Sequence, residues 1–178
     1  IAYLQDNGVT MKVISGDNLA TVQSIARQAG IKNTEQALTG SELQKVPAAK
    51  WDETVLGTTI FARVLPEQKE KIISALQKSG LYTGMVGDGV NDALALKKSN
   101  LGVAMQAGAA ASRRVSDIVL LNNSFTAMPI GMKLGNQIMQ AIEIISILFF
   151  QKIVFGLVLL FLTMWLNIQY PFAPRHNT

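Results

Sequence analysis

The first 120 residues alternate short apolar runs with stretches of helical periodicity. The apolar runs are four or five residues long and are bounded by glycine or polar residues. We predict strands in MKVI (11–14), TTIFA (58–62), YTGMV (82–86), LGVAM (101–105) and DIVLL (117–121). Strands that alternate with helices along a chain are typical of a parallel sheet with crossover helices. The pattern therefore predicts an α/β fold.

Helical signals separate these strands. Proline at a first helical position and glycine after a last turn bound the clearest of them. Helices are predicted at 19–28, from Pro66 to about Gly80, in NDALALKKS (91–99) and in AAASRRV (109–115). We interpret the polar stretch 32–54 as a connection that holds one short helix, in TGSEL, with Ser41 as its cap.

A much longer helix is predicted after residue 126. It begins near Pro129 and continues to about Leu166, roughly 40 residues and about 60 Å at 1.5 Å per residue. Residues 144–166 read IISILFFQKIVFGLVLLFLTMWL, and about 20 apolar residues suffice to cross a bilayer. We therefore predict a stalk helix at 127–143, a transmembrane helix at 144–166 and an external loop at 167–178.

The composition supports a membrane segment beside an ordinary α/β domain. Of the 178 residues, 49% are hydrophobic and only 16% are charged, below the usual quarter. A buried helix of a soluble protein is the alternative, but the preceding chain is too short to cover its whole circumference. Trp165 and Tyr170 fit an aromatic belt at the far interface. The positive charge fits a cytoplasmic bias beside the membrane, so we expect residues 1–143 on the cytoplasmic side of a cell membrane.

The charge pattern and the lack of cysteine argue against nucleic-acid binding, disulfides and thiolate metal sites. The net charge of +4 comes from lysines and arginines that do not gather into one strip interleaved with aromatic residues, so binding to nucleic acid is not expected. The chain has no cysteine. Disulfides and thiolate metal sites are therefore excluded.

Two carboxylates and an amide lie in MVGDGVNDALAL, residues 85–96. Asp88 follows a predicted strand directly, and Asp92 follows four positions later with Asn91 beside it. In parallel sheets, ligands bind at the carboxyl ends of the strands. Carboxylate and amide oxygens suit Mg²⁺, and the flanking glycines let the backbone turn tightly. The stretch predicts a magnesium site, although Asp92 alone would equally well cap a helix.

Two further segments are expected at the same crevice. VISGDN places Ser15 and Gly16 just past a strand, where they offer a hydroxyl and a backbone N–H to a phosphoryl oxygen. ARVLPEQK supplies Lys69, a point charge suited to phosphate, at the beginning of a helix rather than in the core. Taken alone, Lys69 would more often be a solvated charge. Together with Mg²⁺ these groups describe a phosphoryl-transfer site.

These segments resemble the phosphorylation domain of P-type cation-transporting ATPases, within the haloacid-dehalogenase-like superfamily. SGDNLATVQSIARQAGI is similar to the Thr-Gly-Asp segment of that family, FARVLPEQK to its lysine motif, and MVGDGVNDALAL to its hinge motif. The resemblance covers essentially the whole chain. It implies that residues 1–126 are the C-terminal part of a phosphorylation domain with a Rossmann-like parallel sheet, incomplete here, and that the long helix is the fifth membrane helix.

The resemblance also implies roles for individual residues. Asp88 would bind Mg²⁺, and Asp92 would be a second carboxylate at the metal. Asp92 and Asn91 would support both the metal and the phosphate. Lys69 would contact the phosphoryl group. Ser15 takes the place of the family's usual threonine, with Gly16 beside it. Asp17 and Arg63 would lie toward the ATP and the hinge.

The implied partners are ATP, a transported cation, the lipid bilayer and the rest of a longer polypeptide with nucleotide-binding and actuator domains. AAAS (109–112) stands where the family usually has an acidic residue or a serine pair, and it resembles a bacterial subgroup associated with Ca²⁺ or other cations. The Asp-Lys-Thr-Gly-Thr segment, which carries the phosphorylated aspartate, is expected upstream of Ile1. The chain alone is therefore expected to be inactive.

Two other functions stay open at this point. One is a membrane-anchored phosphatase of the same superfamily, and the other is a non-catalytic regulatory or assembly subunit that kept the fold. The residues upstream of Ile1 discriminate among the three. Asp-Lys-Thr-Gly-Thr supports the pump, Asp-x-Asp-Gly-Thr supports the phosphatase, and the lack of an aspartate supports the subunit.

Overall fold

A computed structural model of the chain describes residues 1–168 and contains two units. The first unit spans Ile1–Pro129 and is built of short helices and strands. The second begins at Ile130 and consists of most of the long helix. All residues of the predicted phosphoryl-transfer site lie in the first unit.

Short strands form two parallel sheets in the first unit. The sheets have the orders β1-β3-β2 and β4-β5-β6, and every strand pair in the described residues is parallel. In each sheet the carboxyl ends of the strands therefore lie at one edge. The strands are β1 (Val13–Ile14), β2 (Ala37–Thr39), β3 (Ile60–Ala62), β4 (Gly84–Gly87), β5 (Leu101–Met105) and β6 (Ile118–Leu120).

Short helices connect and cover these strands. The predicted helix at 19–28 and the helix that begins at Pro66 are confirmed, and Gly80, with φ of +80°, follows the end of the latter. The helices are α1 (Ala2–Asp6), α2 (Leu19–Gln28), α3 (Gly40–Gln44), α4 (Trp51–Gly57), α5 (Pro66–Lys78), α6 (Ala93–Lys98) and α7 (Ala110–Val115), with 3₁₀ helices at Ala48–Lys50 and Val90–Asp92.

The stretch between residues 32 and 54 is more ordered than its polar composition predicted. It contains β2, α3 and the start of α4, because pairing with β3 stabilises a strand too short to signal itself in the sequence. Thr39, not Ser41, caps α3. The Thr39 hydroxyl accepts a hydrogen bond from the Glu42 N–H, and the Glu42 carboxylate accepts one from the Thr39 N–H at 2.8 Å. That backbone hydrogen bond is the main reason why the pKa of Glu42 lies below its usual value.

Helix α5 packs on both sheets and holds them in one unit. On one side, Ile72 lies in a buried cluster with Phe61 of β3, and neither side chain is exposed to solvent. On the other side, Ile73 lies in a second cluster with Met85 of β4 and Leu96 of α6. Full burial of each such side chain contributes about 1.5–3 kcal/mol. The position of α5 therefore sets where its first turn, which carries Lys69, meets the second sheet.

The long helix α8 runs from Ala127 to Leu166. Its most apolar 18-residue window has a mean hydropathy of 2.5, and none of that window is buried against the described residues. The length and composition are those of a membrane-spanning helix, whereas the core helix of a soluble protein would be mostly covered. Trp165 is exposed. Tyr170 and nearly all of the predicted external loop lie outside the described residues.

Lys12 caps the end of α4. Its Nζ donates hydrogen bonds to the carbonyl oxygens of Val55, Leu56 and Thr58, at 2.9, 2.9 and 2.5 Å. These are carbonyls that the end of a helix leaves without an intrahelical partner. Burial lowers the pKa of Lys12. The contact ties the residue just before β1 to the residues just before β3, and so aligns the two strands whose ends carry Ser15 and Arg63.

We predict that Lys12→Met lowers the free energy of unfolding by about 1.5–3 kcal/mol, because hydrogen bonds from a charged donor are lost while the apolar stem is kept. Urea unfolding followed by circular dichroism measures the change. Lys32→Met is the matched control, since Lys32 is exposed and its side chain makes no hydrogen bond within the described residues. Equal stability of the two variants would show that the Lys12 cap contributes nothing.

Candidate functional site

Strand β4 ends in a tight turn that carries the acidic residues. Asp88 and Gly89 follow the strand, and the 3₁₀ helix Val90–Asp92 leads into α6. Asp92 folds back on this turn, and its Oδ2 accepts a hydrogen bond from the Gly89 N–H at 3.1 Å. Asp92 is buried, whereas Asp88 is exposed. The turn therefore holds one carboxylate inside the protein and presents the other at the surface.

Lys69 and Asp92 form a buried ion pair. The Lys69 Nζ lies 2.6 Å from Asp92 Oδ1, and each residue is only 8% exposed. The expectation that Lys69 lies at the beginning of a helix is confirmed, but the expectation that it lies outside the core is wrong. A buried ammonium group needs a partner, and the Asp92 carboxylate supplies it from a different strand end. The pair holds the Lys69 ammonium group, neutralised by Asp92, at the turn after β4.

Gly87 has no room for a side chain, because Asp92 packs against it. A Cβ atom on Gly87 would lie 2.7 Å from the Asp92 Cβ and 3.0 Å from its Oδ2. Real Cβ atoms essentially never show contacts under 3.0 Å. The glycine before Asp88 is therefore required by the close approach of the Asp92 side chain and not by a left-handed backbone conformation, which Gly87 does not adopt.

Asp88 is the carboxylate best placed to bind a cation. It is exposed, and its side chain has no hydrogen bond or ion pair with any residue from 1 to 168. Each oxygen of the nearby Asp92 carboxylate has one partner and keeps acceptor capacity. Mg²⁺ is usually held by one or two carboxylates, with phosphate oxygens and water as the other ligands. The two carboxylates after β4 fit that donor set.

A complete protein cage for a metal ion is not found in the described residues. They contain no group of three or more His, Cys, Asp or Glu side chains that could hold a metal ion. Beyond the carboxylates, the other ligands of a cation at Asp88 would therefore come from neutral oxygens such as the Asn91 amide, from phosphate, or from water. This arrangement suits a metal that is bound together with a phosphorylated group.

The turn Ser15–Gly16–Asp17 lies at the carboxyl end of β1 and is tied to the end of β3. The Val64 N–H donates to the Ser15 carbonyl at 3.1 Å, and the Arg63 N–H donates to the Asp17 carbonyl at 3.0 Å. The Ser15 hydroxyl accepts a hydrogen bond from the Asp17 N–H at 3.1 Å. Ser15 is half-buried, whereas the other two residues of the turn are exposed.

Arg63 has a left-handed backbone conformation, with φ of +51°. This conformation costs a residue with a side chain about 1–2 kcal/mol. The Arg63 carbonyl packs against Gly40, where a Cβ atom would collide with it, and the buried Gln68 amide donates to the Gly40 carbonyl at 2.8 Å. An exposed arginine where glycine would be less strained fits a position whose side chain has a function.

The predicted site residues therefore lie in two groups. One group surrounds the turn after β4, and the other surrounds the ends of β1 and β3. Helix α5 follows the second group along the chain and carries Lys69 to the first. Within residues 1–168, no hydrogen bond joins the two groups directly. The first group is Lys69, Asp88, Asn91 and Asp92, and the second is Ser15, Gly16, Asp17 and Arg63.

The sequence did not predict that residues of α7, and the residues just before it, hold the turn after β4. Ser112 of α7 is completely buried, and its hydroxyl donates to the Gly89 carbonyl at 2.5 Å. Gly108 packs against the backbone of Asp88. The sequence signal for this contact is the single hydroxyl among the alanines of AAAS (109–112). A serine on a buried helix face needs a hydrogen-bond partner, and the nearest strand end supplies it.

Comparison with known proteins identifies relatives of the chain. A family model for haloacid dehalogenase-like hydrolases matches residues 1–100. The chain is 41% identical over 157 residues to the calcium-transporting ATPase CtpE of Mycolicibacterium smegmatis, which covers 88% of this chain and 20% of that protein. It is 39% identical over 130 residues to the human calcium-transporting ATPase type 2C member 2, which covers 72% of this chain and 14% of that protein.

A third relative transports a different cation. The P-type 1 magnesium-transporting ATPase of Salmonella typhimurium is 37% identical over 137 residues, which covers 77% of this chain and 15% of that protein. The chain thus spans about a fifth or less of the length of these relatives. Among solved structures, the catalytic domain of the CPx-ATPase CopB-B is similar with a TM-score of 0.54 and 27% identity, over 71% of this chain and 40% of that chain.

We predict that Lys69→Met and Asp92→Asn each lower the free energy of unfolding by about 3–5 kcal/mol, because each leaves one buried charge without its partner. The double variant should lose less than the sum of the two losses, since it buries no unpaired charge. Urea unfolding of the parent and the three variants completes the cycle. Strict additivity would contradict a direct interaction between the two charges.

Proposed function

The chain belongs to the haloacid dehalogenase-like hydrolase family, and on that premise we propose that it is the magnesium-binding and phosphoryl-stabilising part of an ATP-driven cation pump. The relatives that cover most of the chain are P-type cation-transporting ATPases. The observation that carries the proposal is the buried Lys69–Asp92 pair beside the unpaired carboxylate of Asp88. This arrangement brings the N–H donors of the Lys69 ammonium group, from the helix after β3, to the turn after β4 that carries a metal ligand, and phosphoryl transfer uses both.

In this proposal Asp88 is a direct ligand of Mg²⁺. Its carboxylate is exposed at the carboxyl end of β4 and has no competing partner among the described residues. A Mg²⁺ ion held by Asp88 would supply positive charge to phosphoryl oxygens. Asp92 contributes mainly through Lys69, because its Oδ1 lies 2.6 Å from that ammonium group, and its Oδ2 retains capacity for a metal or a water ligand.

Lys69 is proposed to contact the phosphoryl group. An ammonium group has three N–H donors, and Asp92 accepts one of them. The others are available for phosphoryl oxygens, in a buried place where a charge interaction is stronger than in water. The Asn91 amide, exposed on the same turn, can donate to the same oxygens.

The turn after β1 is proposed to complete the phosphoryl site. The Ser15 hydroxyl and the Gly16 N–H offer neutral donors, and the backbone of this turn is held by hydrogen bonds from Arg63 and Val64. We propose that the exposed side chains of Asp17 and Arg63 face the nucleotide and the hinge. The strained backbone of Arg63 supports a role for its side chain.

The nucleophile is proposed to be an aspartate in a segment upstream of Ile1. Asp88 and Asp92 are assigned to the metal and to Lys69, so neither is free to attack without removing a group that transfer needs. β1 and β4 are each the outermost strand of their sheet, and each therefore has an edge that an additional strand can pair with. The relatives, of which the chain spans a fifth or less, are long enough to contain such a segment.

The long helix is proposed to couple this chemistry to transport. Residues 127–143 would form a cytoplasmic stalk, residues 144–166 would cross the cell membrane, and residues 1–143 would lie on the cytoplasmic side. Two of the relatives named above are calcium-transporting and one is magnesium-transporting. We propose a cation as the transported substrate, with Ca²⁺ as the first to test, and with nucleotide-binding and actuator domains and other membrane helices as partners within the same polypeptide.

We predict that Asp88→Asn removes most Mg²⁺-dependent ATP hydrolysis by the full-length polypeptide, because the metal loses a charged ligand. ATPase activity is measured in detergent or vesicles as a function of Mg²⁺ concentration. Asp6→Asn is the matched control, since Asp6 is an exposed aspartate on α1 that takes no part in the site. Activity of the Asp88 variant near that of the control would sink the metal assignment.

We also predict that the chain of residues 1–178 alone neither hydrolyses ATP nor becomes phosphorylated, because the aspartate nucleophile is proposed to lie upstream of Ile1. The purified chain is incubated with labelled ATP and Mg²⁺, quenched in acid and treated with hydroxylamine. The full-length polypeptide is the positive control. A hydroxylamine-sensitive phosphoprotein that disappears in an Asp88 or Asp92 variant of the chain would place the nucleophile within it.

A further inference from the structure

We propose that Ser112 is a positioning residue that holds the turn after β4 in the conformation in which Asp88 binds Mg²⁺. This inference rests on the function proposed above, and it assigns a role to a helix that the phosphoryl chemistry itself does not use. Ser112 lies on α7, 23 residues after the carbonyl that it contacts. It does not touch the phosphoryl group in this proposal and acts through the backbone alone.

The first contact is between Ser112 and Gly89. The Ser112 side chain is completely buried, and its Oγ donates to the Gly89 carbonyl at 2.5 Å. The N–H of the same glycine donates to Asp92 Oδ2 at 3.1 Å. Gly89 is thus held by a side chain at each of its backbone polar groups, and its carbonyl also accepts a hydrogen bond from the Asp92 N–H at 3.0 Å. A glycine without these contacts would have more backbone freedom than any other residue.

The second contact holds the residue before it. The Ala109 N–H donates to the Asp88 carbonyl at 2.6 Å. Gly108 lies so close that a Cβ atom there would come within 2.6 Å of the same carbonyl oxygen and 2.9 Å of the Asp88 Cα. The start of α7 therefore fixes the backbone of Asp88 by one hydrogen bond and by steric contact.

Arg113 binds the residues that precede α7. Its guanidinium group donates to the carbonyl of Gln106 at 2.9 Å and also to the carbonyl of Gly108. The turn between β5 and α7 is thereby bound to α7 itself. We name residues 106–113 the α7 clamp. The clamp holds both carbonyls of the Asp88–Gly89 pair and leaves the Asp88 carboxylate as the exposed part of the turn.

The clamp explains how an exposed carboxylate can have a defined position. Asp88 itself has no side-chain partner among the described residues, so its direction depends on its backbone. Groups that orient a metal ligand typically change metal affinity by about 10–100-fold when they are removed. Removal of the Ser112 hydroxyl leaves the Gly89 carbonyl with only the local hydrogen bond from the Asp92 N–H at 3.0 Å, so the turn loses its tie to α7. The affinity for the metal should therefore fall at the low end of that range.

The test measures metal binding directly in the full-length polypeptide. Binding of Mn²⁺, with competition by Mg²⁺, is followed by the electron paramagnetic resonance signal of free Mn²⁺, and folding is followed by thermal melting. We expect Ser112→Ala to raise the dissociation constant about 10-fold. Ser116→Ala is the matched control, because the Ser116 hydroxyl donates to the Arg113 carbonyl within the same helix end, and its affinity should equal that of the parent.

Asp88→Asn separates a failure of this inference from a failure of the proposed function. Weak binding in Asp88→Asn with parent-like binding in a folded Ser112→Ala variant would overturn the role of Ser112 alone. Parent-like binding in Asp88→Asn would overturn the metal site itself and the clamp with it. Should Ser112→Ala not fold, Gly108→Ala decides, because its added Cβ displaces the Asp88 backbone. Weakened Mn²⁺ binding in that variant supports the clamp, and unchanged binding overturns it.

Discussion

The buried ion pair between Lys69 and Asp92 is the interaction on which the site depends, because it joins the helix after β3 to the turn after β4. Two charges removed from water repay their desolvation only when the geometry is close and the remaining polar atoms are satisfied. The 2.6 Å contact and the hydrogen bond from Gly89 to the second Asp92 oxygen meet both conditions. The two sheets, which share no strand pair in the described residues, are thus connected by a directional contact as well as by the apolar packing of α5.

Around this pair, the turn that carries Asp88 is shaped by small residues and backbone hydrogen bonds. Gly87 leaves space for the Asp92 side chain, and Gly108 leaves space for the Asp88 backbone. Ala109 donates to the Asp88 carbonyl, and Ser112 joins the Asp92 N–H in donating to the Gly89 carbonyl. Apolar burial is not directional and could not set the orientation of a single carboxylate. Hydrogen bonds and close steric contacts are directional and can set that orientation. This explains why alanine, glycine and serine support a polar site here.

The second unit follows a different physical rule. Helix α8 is apolar around most of its circumference from residue 144 onward, and none of its most apolar window is buried against the described residues. Such a helix cannot be stabilised by burying one face, as α2 and α5 are. A lipid bilayer or further apolar helices must cover it. The similarity to P-type ATPases, of which the chain spans a fifth or less, accords with such an environment.

The sequence by itself determined the α/β class, the order of most strands and helices, the long apolar helix and the resemblance to P-type ATPases, because periodicity and local motifs are properties of neighbouring residues. The strand β2 was missed, since three residues of mixed polarity gain their stability only from β3. Only the tertiary structure decided that Lys69 is buried against Asp92 and that Ser112 holds Gly89, because each contact joins residues 23 positions apart. Such pairings depend on where packing places whole elements, and no local pattern of residues records that.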